Sequence, residues 1–403
     1  MAFQTSLSGL TAAQTNLSVT GNNIANASTN GFKRSRAEFA DIYTSSFSST
    51  SQVGSGVRVA NIAQQFSQGN VEFTDNTLDL AITGEGYFII KDTDGTELFT
   101  RAGAYLIDRE GYMVNSRGQR LQGYQTDDDG IVNNTTPQDL FLSNAASPAS
   151  ATTMTEINLN VDASNEPPLV APFDHVDPNT YNYSTSTTIF DSLGSSHIQT
   201  LYFVKTADNF WDTYMTVDGT QVGGAETIEF GQDGRMLNPD PAIINYGTFD
   251  PANGAAILDL SVDFDASTQF AGESAVNSIV QDGYTSGRIS GIAIDSKGVV
   301  YARYTNGQSQ ILGAVAMARF ANPNGLQPVG DTNWAQTFAS GDIVRGQAGR
   351  GTFGQIQSGA LEASNVDLST QLVNMIIAQR DFQANAKMIS TEDAITQTII
   401  NIR

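Results

Sequence analysis

The run Asp127-Asp128-Asp129-Gly130 is the strongest candidate for a metal-binding loop in this sequence. Aspartate oxygens suit Ca²⁺, and an EF-hand loop places a glycine at its sixth position and a bidentate Glu at its twelfth. With Gly130 as the sixth residue, Gln125 takes the first position and Thr136 takes the last, so the Glu is missing. We therefore interpret the run as a solvated turn and expect no metal.

Nucleophilic, redox and dinucleotide chemistry have little support in the residue types present. The chain of 403 residues has no cysteine and two histidines, His175 and His197, which excludes thiolate sites and a His-rich metal centre. No nucleophile-elbow motif accompanies either histidine. Gly84-Glu85-Gly86 lacks the third glycine and the helix of a dinucleotide site. The abundant carboxylates leave a glycosidase-type pair open. Without a supporting motif, we expect no catalytic residue and no cofactor.

The chain is polar through amides and hydroxyls rather than through charge. Charged residues make up 15% of it, against about 25% in an ordinary soluble domain, and its net charge is −22. Such an acidic chain repels phosphate, so no nucleic-acid partner is expected. No stretch reaches the roughly 20 apolar residues of a membrane span, and the N-terminal residues do not have the pattern of a secretory signal. We expect no membrane insertion and no cleavable signal peptide.

Most of the net charge lies in one central segment. Residues 145–284 contain 19 acidic residues and two basic ones, Lys205 and Arg235. Residues 1–32, in contrast, carry no charged side chain. Uncharged ends suit burial against other protein, and an acidic middle suits a solvated surface.

Both ends of the chain carry an apolar stripe with helical spacing. In residues 3–28 and 366–402 the apolar positions alternate spacings of four and three, which is the seam of a coiled coil. The N-terminal seam consists of Phe3, Leu7, Leu10, Leu17 and Ile24. The C-terminal seam consists of Leu368, Leu372, Met375, Phe382, Ala386, Ile389 and, after a shift of phase, Ile395, Ile399 and Ile402. We expect the two helices to pair, with Asn365 capping the second; packing of each stripe on a globular core is the alternative.

The sequence between these ends predicts β-structure. The pattern Asp-x-x-Gly, typical of a type I turn, occurs at Asp92–Gly95, Asp108–Gly111, Asp127–Gly130, Asp191–Gly194 and Asp295–Gly298. Runs rich in β-forming residues flank these turns at Tyr87–Ile90, Tyr105–Ile107, Tyr112–Val114, Ile292–Ile294 and Val299–Tyr301. Short strands at this spacing favour sandwiches or barrels.

These elements predict a nested fold. We expect a mainly β protein with discontinuous, sandwich- or barrel-like domains and with paired N- and C-terminal α-helices that form a coiled coil. The predicted domains are a terminal helical domain (1–32 and 362–403), an extended linker segment (33–75), a discontinuous β-domain (76–143 and 284–361) and an inserted acidic β-domain (144–283).

Several long motifs resemble those of the bacterial flagellar rod and hook axial protein family. Residues 16–33 read NLSVTGNNIANASTNGFK, and residues 358–387 read SGALEASNVDLSTQLVNMIIAQRDFQANAK. The motif residues of the first are Asn22, Asn23, Ile24, Ala25, Asn26, Gly31 and Phe32. GEGYF (84–88), FTRAG (99–103) and DREGYMVNSRGQRLQGY (108–124) resemble the β-domain that the family shares. TIFDSLGSSH (188–197) in the acidic segment and LGAVAMARFANPNGL (312–326) resemble the hook member.

The resemblance implies a structural subunit of the flagellar hook rather than an enzyme. Hook subunits polymerise into a short curved tube, a universal joint that passes motor torque to the filament. By resemblance, the paired helices form the inner tube, the shared β-domain the middle layer and the acidic domain the outer surface. The implied partners are copies of the chain itself in a helical homopolymer, the distal rod protein, the hook cap, the hook–filament junction protein and the flagellar type III export apparatus. The implied location is the extracellular flagellar basal body and hook, reached without a cleavable signal peptide.

Two other functions stay open at this point. Another axial protein, of the distal rod type, would carry the same terminal motifs but would lack the acidic insertion. An extracellular adhesin or glycan-binding module would use aromatic residues such as Tyr181, Tyr183, Trp211 and Tyr214. Those residues are also typical of strands and cores.

Overall fold

The structure is a computed structural model that describes residues 2–42, 54–126, 132–133, 135–143 and 145–401. The Asp127–Gly130 run, for which a solvated turn is predicted, and the seam residue Ile402 lie outside the described residues. The chain divides into two compact units. Unit 1 comprises Met1–Asn144, Gly291–Arg303 and Ser309–Arg403, and unit 2 comprises Ala145–Ser290 and Tyr304–Gln308.

The described elements are two long helices and many short strands. The helices are α1 (Ala2–Ala25) and α2 (Leu368–Asn401), both in unit 1. The first strands of unit 1 are β1 (Ser35–Asp41), β2 (Val57–Gln64), β3 (Val71–Phe73), β4 (Leu80–Thr83), β5 (Tyr87–Lys91), β6 (Glu97–Thr100), β7 (Leu106–Ile107), β8 (Met113–Val114), β9 (Arg120–Gln125) and β10 (Gln138–Asp139). The strands of unit 2 are β11 (Met154–Asp162), β12 (Tyr183–Phe190), β13 (Ser196–Ala207), β14 (Phe210–Val217), β15 (Thr220–Phe230), β16 (Met236–Asn238), β17 (Ile243–Phe249), β18 (Leu258–Asp263), β19 (Thr268–Phe270) and β20 (Ala275–Gln281).

Unit 1 then resumes with a second set of strands. These are β21 (Ile289–Ile294), β22 (Val299–Tyr304), β23 (Ser309–Arg319), β24 (Gln327–Gly330), β25 (Asn333–Ala335), β26 (Val344–Gln347), β27 (Gln355–Ser358) and β28 (Ala360–Glu362). Single 3₁₀ turns occur at Pro178–Thr180, Pro323–Gly325 and Phe338–Ser340. Within the described ranges, no helix combines the length and the apolar character needed to cross a bilayer.

The short-range predictions of turns and strands are confirmed wherever the chain is described. In the four described Asp-x-x-Gly turns the glycine N–H donates to the aspartate carbonyl, at N···O distances of 2.9 to 3.2 Å. Each predicted β-run overlaps a strand, from β5 at Tyr87–Lys91 to β22 at Val299–Tyr304. These turns form because Asp and Gly satisfy their geometry within four residues.

One large sheet forms the centre of unit 1 and is covered on both faces. Its order is β21-β22-β23-β9-β5-β6-β25-β24, with β7, β8, β10 and β26 paired beside this path. Along β5, Phe88 and Ile90 belong to one buried cluster, whereas Tyr87 and Ile89 belong to another. A strand covered on both faces needs apolar residues at consecutive positions, which explains the continuous run YFII.

The two ends of the chain meet in unit 1, as the nested fold predicts. β3 pairs antiparallel with β28, and β4 pairs antiparallel with β27. Beyond these pairs, α1 and α2 pack against each other. They run antiparallel, because Asn23 contacts Gln371 near one end and Gly9 faces Asn385 near the other.

The segment 33–75 has more structure than the predicted linker. β1 and β2 form an antiparallel hairpin that packs on α1. Both strands are extended, as expected, but they carry their own hydrogen-bond partners. The β-propensity of the run VRVANIAQ in β2 is the local reason for pairing.

Unit 2 is a β-sandwich. One sheet has the order β17-β18-β11-β19 with β20 beside β11, and the other has the order β12 to β16. Both sheets contribute to a single core that includes Leu159, Phe203 and the fully buried Trp211. Along β18 and into the next residues, Leu258, Leu260, Val262 and Phe264 are buried while the aspartates between them face outward. This alternation is that of a strand with one face on the core and the other towards solvent.

Candidate assembly site

The residues that α1 and α2 bury are small or polar. They are Ser6, Ala12, Ala13, Thr20 and Asn23 on α1, and Gln371 and Ala378 on α2. A Cβ on Gly9 would lie 2.5 Å from Oδ1 of Asn385, so the absence of a side chain at Gly9 permits this close approach. Among the described residues, no large apolar side chain of either helix is fully buried, so the helices leave much of their apolar area uncovered in the single chain.

Ten large apolar side chains of the two helices are instead exposed. Their exposed fractions range from 46 to 67%. The exposed set is Phe3, Leu7, Leu368, Leu372, Val373, Ile376, Ile377, Met388, Ile395 and Ile400. Contiguous apolar surface of this kind marks a site of contact with other protein.

The predicted seam residues fall into two groups. Leu10, Leu17, Ile24, Met375, Phe382, Ala386 and Ile389 are half-buried. Phe3, Leu7, Leu368, Leu372 and Ile395 are exposed, and Ile399 lies within α2. Val373, Ile376 and Ile377, which are not part of the predicted seam, form a second apolar stripe beside it. A helix that is apolar on more than one side is the signal that would have identified them.

Asn23 of the NNIAN motif ties α1 to the rest of unit 1. Its Oδ1 accepts from the backbone N–H of Ser35, and its Nδ2 donates to the carbonyl of Ser35, both at 2.8 Å. The same Nδ2 lies 3.3 Å from Oε1 of Gln371 on α2. Asn22 and Ala25 are exposed, whereas Asn26 donates to the Asn22 carbonyl at 3.0 Å and closes the end of α1.

The NGFK part of the motif forms a turn in which the position of Gly31 requires glycine. Gly31 has a φ of +72°, and a Cβ there would lie 2.5 Å from the backbone N of Ala102. Its N–H donates to the Glu362 carbonyl at 2.7 Å. The carbonyl of the half-buried Phe32 accepts from the N–H of Asn365 at 3.4 Å. The turn thereby joins the N-terminal segment to the C-terminal one.

A buried ion triad lies beside this turn. The Glu362 carboxylate pairs with the Lys33 ammonium and, at 3.1 Å, with Nη1 of Arg101; all three side chains are at least nine-tenths buried. Glu362 also accepts from the N–H of Gly69 at 2.9 Å, and Lys33 donates to the carbonyl of Ser67 at 2.9 Å. Burial lowers the pKa of Lys33 from its usual value, and the nearby Glu362 carboxylate opposes that shift.

The triad brings together three of the motif segments. Lys33 ends NGFK, Arg101 is the centre of FTRAG, and Glu362 lies in SGALEASN. The sequence analysis did not single out these residues. The sequence does mark Lys33, because it is the first charged residue of the chain and follows 32 uncharged residues.

Asn365 does not cap α2, contrary to expectation. The carboxylate of Asp367 accepts from the N–H of Thr370 at 2.7 Å and caps the helix, which also lowers the pKa of Asp367. Asn365 instead accepts from the N–H of Arg34 at 2.8 Å and donates to the carbonyl of Gln65 at 2.7 Å. Asp367 rather than Asn365 caps the helix, because Asn365 makes tertiary hydrogen bonds and an aspartate caps a helix as well as an asparagine does.

The aromatic residues considered for glycan binding are engaged inside unit 2. Trp211 is fully buried and donates to Oε1 of Gln269 at 3.2 Å. Tyr214 stacks on Phe173 with ring centroids 4.0 Å apart. Tyr181 packs edge-on against Tyr202, and Tyr183 packs against Phe203. Each of these side chains therefore contributes to packing within unit 2, as is typical of strand and core residues.

His197 links two turns of unit 2 through hydrogen bonds with an aspartate of each. Its Nδ1 lies 2.7 Å from a carboxylate oxygen of Asp218, and its Nε2 lies 3.3 Å from one of Asp191. Both ring nitrogens can donate only when the ring is protonated. His175 lies in a loop beside Asp174. Across the residues that the structure describes, no cluster of three or more His, Cys, Asp or Glu side chains is arranged to hold a metal ion.

Comparisons with known families place flagellar models on four stretches of the chain. Residues 3–33 match the flagella basal body rod protein model, and residues 81–164 match the D1 domain model of flagellar hook protein FlgE/F/G. Residues 158–284 match the flagellar basal body protein FlaE D2 domain, and residues 357–402 match the C-terminal model of the flagellar basal body rod FlgEFG protein.

Relatives that match over their full length are described as flagellar hook proteins. The chain is 40% identical over 410 residues to the flagellar hook protein FlgE of Escherichia coli, and the match covers 100% of both chains. It is 32% identical over 436 residues to the flagellar hook protein FlgE of Borreliella burgdorferi, covering 98% of each. The crystal structure of Helicobacter pylori flagellar hook protein FlgE2 superposes with a TM-score of 0.53 at 14% identity, covering 72% of this chain and 100% of that one. That superposition is a likeness of fold.

Proposed function

The chain belongs to the bacterial flagellar hook protein family and is a structural subunit of the hook, and on this premise we propose that it assembles through α1 and α2 into a curved, flexible tube. The tube acts as a universal joint that passes motor torque to the filament. Copies of this chain are its principal partners. The distal rod protein, the hook cap, the hook–filament junction protein and the flagellar type III export apparatus complete the proposed set.

One observation carries the proposal: ten large apolar side chains of the helices are exposed, and no large one is fully buried among the described residues. Leu372 and Ile376, one turn apart on α2, are each nearly half exposed, while Ala378 on the same helix is fully buried. A pair of helices built to be stable alone would have the opposite arrangement. Further copies supply the missing apolar partners, so the order of the helices depends on assembly.

The buried triad supplies a route for force in this proposal. Asn23, Gly31 and Lys33 fix the end of α1 to the β-structure of unit 1, and Asn365 and Glu362 fix the start of α2. A load on the helical tube would therefore reach the sheet through hydrogen bonds and ion pairs that are excluded from water. We propose the inner tube for 1–32 and 362–403, the middle layer for 76–143 and 284–361, and the outer surface for 144–283.

Polar substitutions on α2 test the proposal. Leu372→Ser with Ile376→Ser removes apolar surface that the single chain already exposes, so the chain should stay folded while polymer yield falls at least tenfold. Polymer is measured by sedimentation and by electron microscopy. Val176→Ser, at an exposed position in unit 2, is the matched control and should polymerise normally. A doubly substituted chain that polymerises as well as the control would contradict the proposal.

A further inference from the structure

Phe338 in unit 1 is fully exposed on a rigid support. It begins the 3₁₀ turn Phe338–Ser340 and has the highest exposed fraction, 104%, of the large apolar side chains in the described residues. The turn carries a reciprocal capping box, in which the Thr337 side chain accepts from the N–H of Ala339 and the Ser340 side chain accepts from the N–H of Thr337, both at 3.1 Å. A Cβ on Gly325 would lie 2.3 Å from the backbone of Ala339, so the neighbouring loop packs directly under the turn. The side chain is thus presented to solvent by a backbone that is held in place.

An apolar groove lies between α1 and β2 of the same unit. It has a volume of about 490 Å³, and its apolar lining consists of Leu7, Ala12, Val57 and Val59. The N–H of Val57 donates to Oγ of Ser8 at 3.2 Å and fixes the two walls. A Cβ on Gly56 would lie 2.3 Å from the same Oγ, and the φ of Gly56 is +111°, so this glycine permits the close approach. The groove is built into the single chain and is open to solvent.

The charges beside the aromatic side chain and beside the groove are complementary. Arg58 lines the groove, is exposed, and makes no ion pair with any residue that the structure describes. Asp342 lies four residues after Phe338, is exposed, and likewise has no ion-pair partner within the described part of the chain. An unpaired cation at an apolar groove and an unpaired anion four residues along the chain from an exposed ring fit one contact. Phe338 does not fill the groove of its own chain, because its ring is fully exposed.

We propose that Phe338 of one copy inserts into the α1–β2 groove of a second copy, with Asp342 facing Arg58. The inserted side chain and the groove are different surfaces of the same unit. Such a contact is heterologous, and each copy that donates a ring still offers a groove to the next copy, so the contact propagates into an open polymer. The inference rests on the proposed self-assembly and names one of its contacts.

The absence of cysteine in the chain makes cross-linking a direct test. The double variant Phe338→Cys with Val59→Cys, assembled into polymer and oxidised, should give a ladder of covalent dimers, trimers and higher oligomers on a non-reducing gel. Each single variant should give no ladder. Val176→Cys with Val59→Cys is the matched control, because Val176 is exposed but lies in unit 2, and it should also give no ladder. A missing ladder from the first pair in intact polymer would overturn the inference.

Charge exchange provides a second, independent readout. Phe338→Ser should raise the critical concentration for polymerisation roughly tenfold, since the ring is the main apolar group of the contact. Arg58→Asp and Asp342→Arg should each raise it severalfold, and the two together should return it to within about twofold of the unsubstituted chain. Variants that all polymerise like the unsubstituted chain would overturn the contact and leave self-assembly standing. An unsubstituted chain that never polymerises would overturn self-assembly, and the contact with it.

Discussion

At the scale of single residues, Glu362 joins parts of the chain that are far apart in sequence. Its carboxylate meets Lys33 and Arg101, and its carbonyl accepts from Gly31. A buried ion pair adds little net stability when compared with an apolar replacement, but removing one partner leaves a charge without compensation in a medium of low dielectric constant. The triad therefore specifies one arrangement of the chain ends more than it increases the free energy of unfolding.

Glu362→Gln should destabilise unit 1 strongly. The substitution keeps the shape of the side chain but leaves Lys33 and Arg101 buried without an anion, which should lower the free energy of unfolding by about 3–5 kcal/mol. Glu110→Gln is the control, because Glu110 pairs with Arg120 at the surface and should contribute about 0–1 kcal/mol. Urea unfolding measures both. Equal effects of the two substitutions would show that the triad is no more important than a surface pair.

Two glycines in the N-terminal segment should respond oppositely to alanine. Gly31→Ala puts a Cβ against the backbone of Ala102 at a positive φ, so it should destabilise unit 1 by at least about 1 kcal/mol. Gly21→Ala lies in α1 with no heavy atom near the added Cβ and should stabilise the helix by up to about 1 kcal/mol. Circular dichroism during thermal unfolding measures both shifts. A Gly31→Ala chain as stable as the unsubstituted one would mean that the turn relaxes freely.

At the scale of elements, the two helices and the sandwich of unit 2 differ in what completes them. α1 and α2 leave ten large apolar side chains exposed, and in the proposed tube other copies cover them. The two sheets of unit 2 enclose a common core whose largest member, Trp211, is fully buried. The apolar faces of that sandwich therefore cover each other within one chain. The dependence of its stability on pH then comes from a few buried polar groups.

The stability of unit 2 should fall on both sides of a window from about pH 4 to pH 6.5. Burial acts to lower the pKa of His197, but its hydrogen bonds to Asp218 and Asp191 outweigh burial, and the pKa is raised above 6.5. This contribution is complete below pH 6.5 and is lost as pH rises through the raised value. Burial acts to raise the pKa of Asp191, but hydrogen bonds from Asn253 and other donors lower it to about 2. That contribution is complete above the ordinary carboxyl pKa of 3.8 and is lost as pH falls towards 2.

Substitution isolates the histidine contribution. His197→Gln should remove most of the alkaline loss and should cost about 1–3 kcal/mol at pH 6. His175→Gln, in a loop, is the matched control. Thermal unfolding of the full chain at a series of pH values, followed by tryptophan fluorescence, gives the comparison. An alkaline loss that persists unchanged in His197→Gln would assign it to other groups.

At the scale of the whole molecule, the composition suits contacts that exchange partners. Only 15% of the residues are charged, and Ser, Thr, Asn and Gln supply much of the polarity. A neutral hydrogen bond contributes about 0.5–1.5 kcal/mol net, so one partner or water can replace another at small cost as copies slide. A network of fixed ion pairs between copies would favour one register and would resist bending, whereas the proposed Arg58–Asp342 contact adds a single exposed pair.

Bending stiffness of the assembled tube should therefore depend weakly on salt. We expect a change of less than about twofold between roughly 50 mM and 500 mM salt, a range over which exposed ion pairs are largely screened. Fluctuation analysis of single tubes by light microscopy measures the stiffness. A drop of severalfold across this range would show that ion pairs between copies govern bending.

Much of the fold was predictable because its signals are local. An Asp-x-x-Gly turn, an alternating strand such as β18, and a helical stripe each satisfy their geometry within a few neighbouring residues. The pairing of the chain ends also followed from two matching stripes. The placement of Asn365 was wrong because its tertiary hydrogen bonds compete with capping, and no local pattern records that competition.

The sequence alone determined the elements, the family motifs and the absence of thiol chemistry, since each depends on residue types and their spacing. Only the tertiary structure decided that Lys33, Arg101 and Glu362 meet, because these residues are separated by as many as 329 positions. It alone decided which faces of α1 and α2 are buried by the rest of the chain and which stay exposed. A stripe of apolar residues in the sequence indicates that one face of a helix is to be buried. How much of that face is buried within one chain depends on the positions of all the other elements.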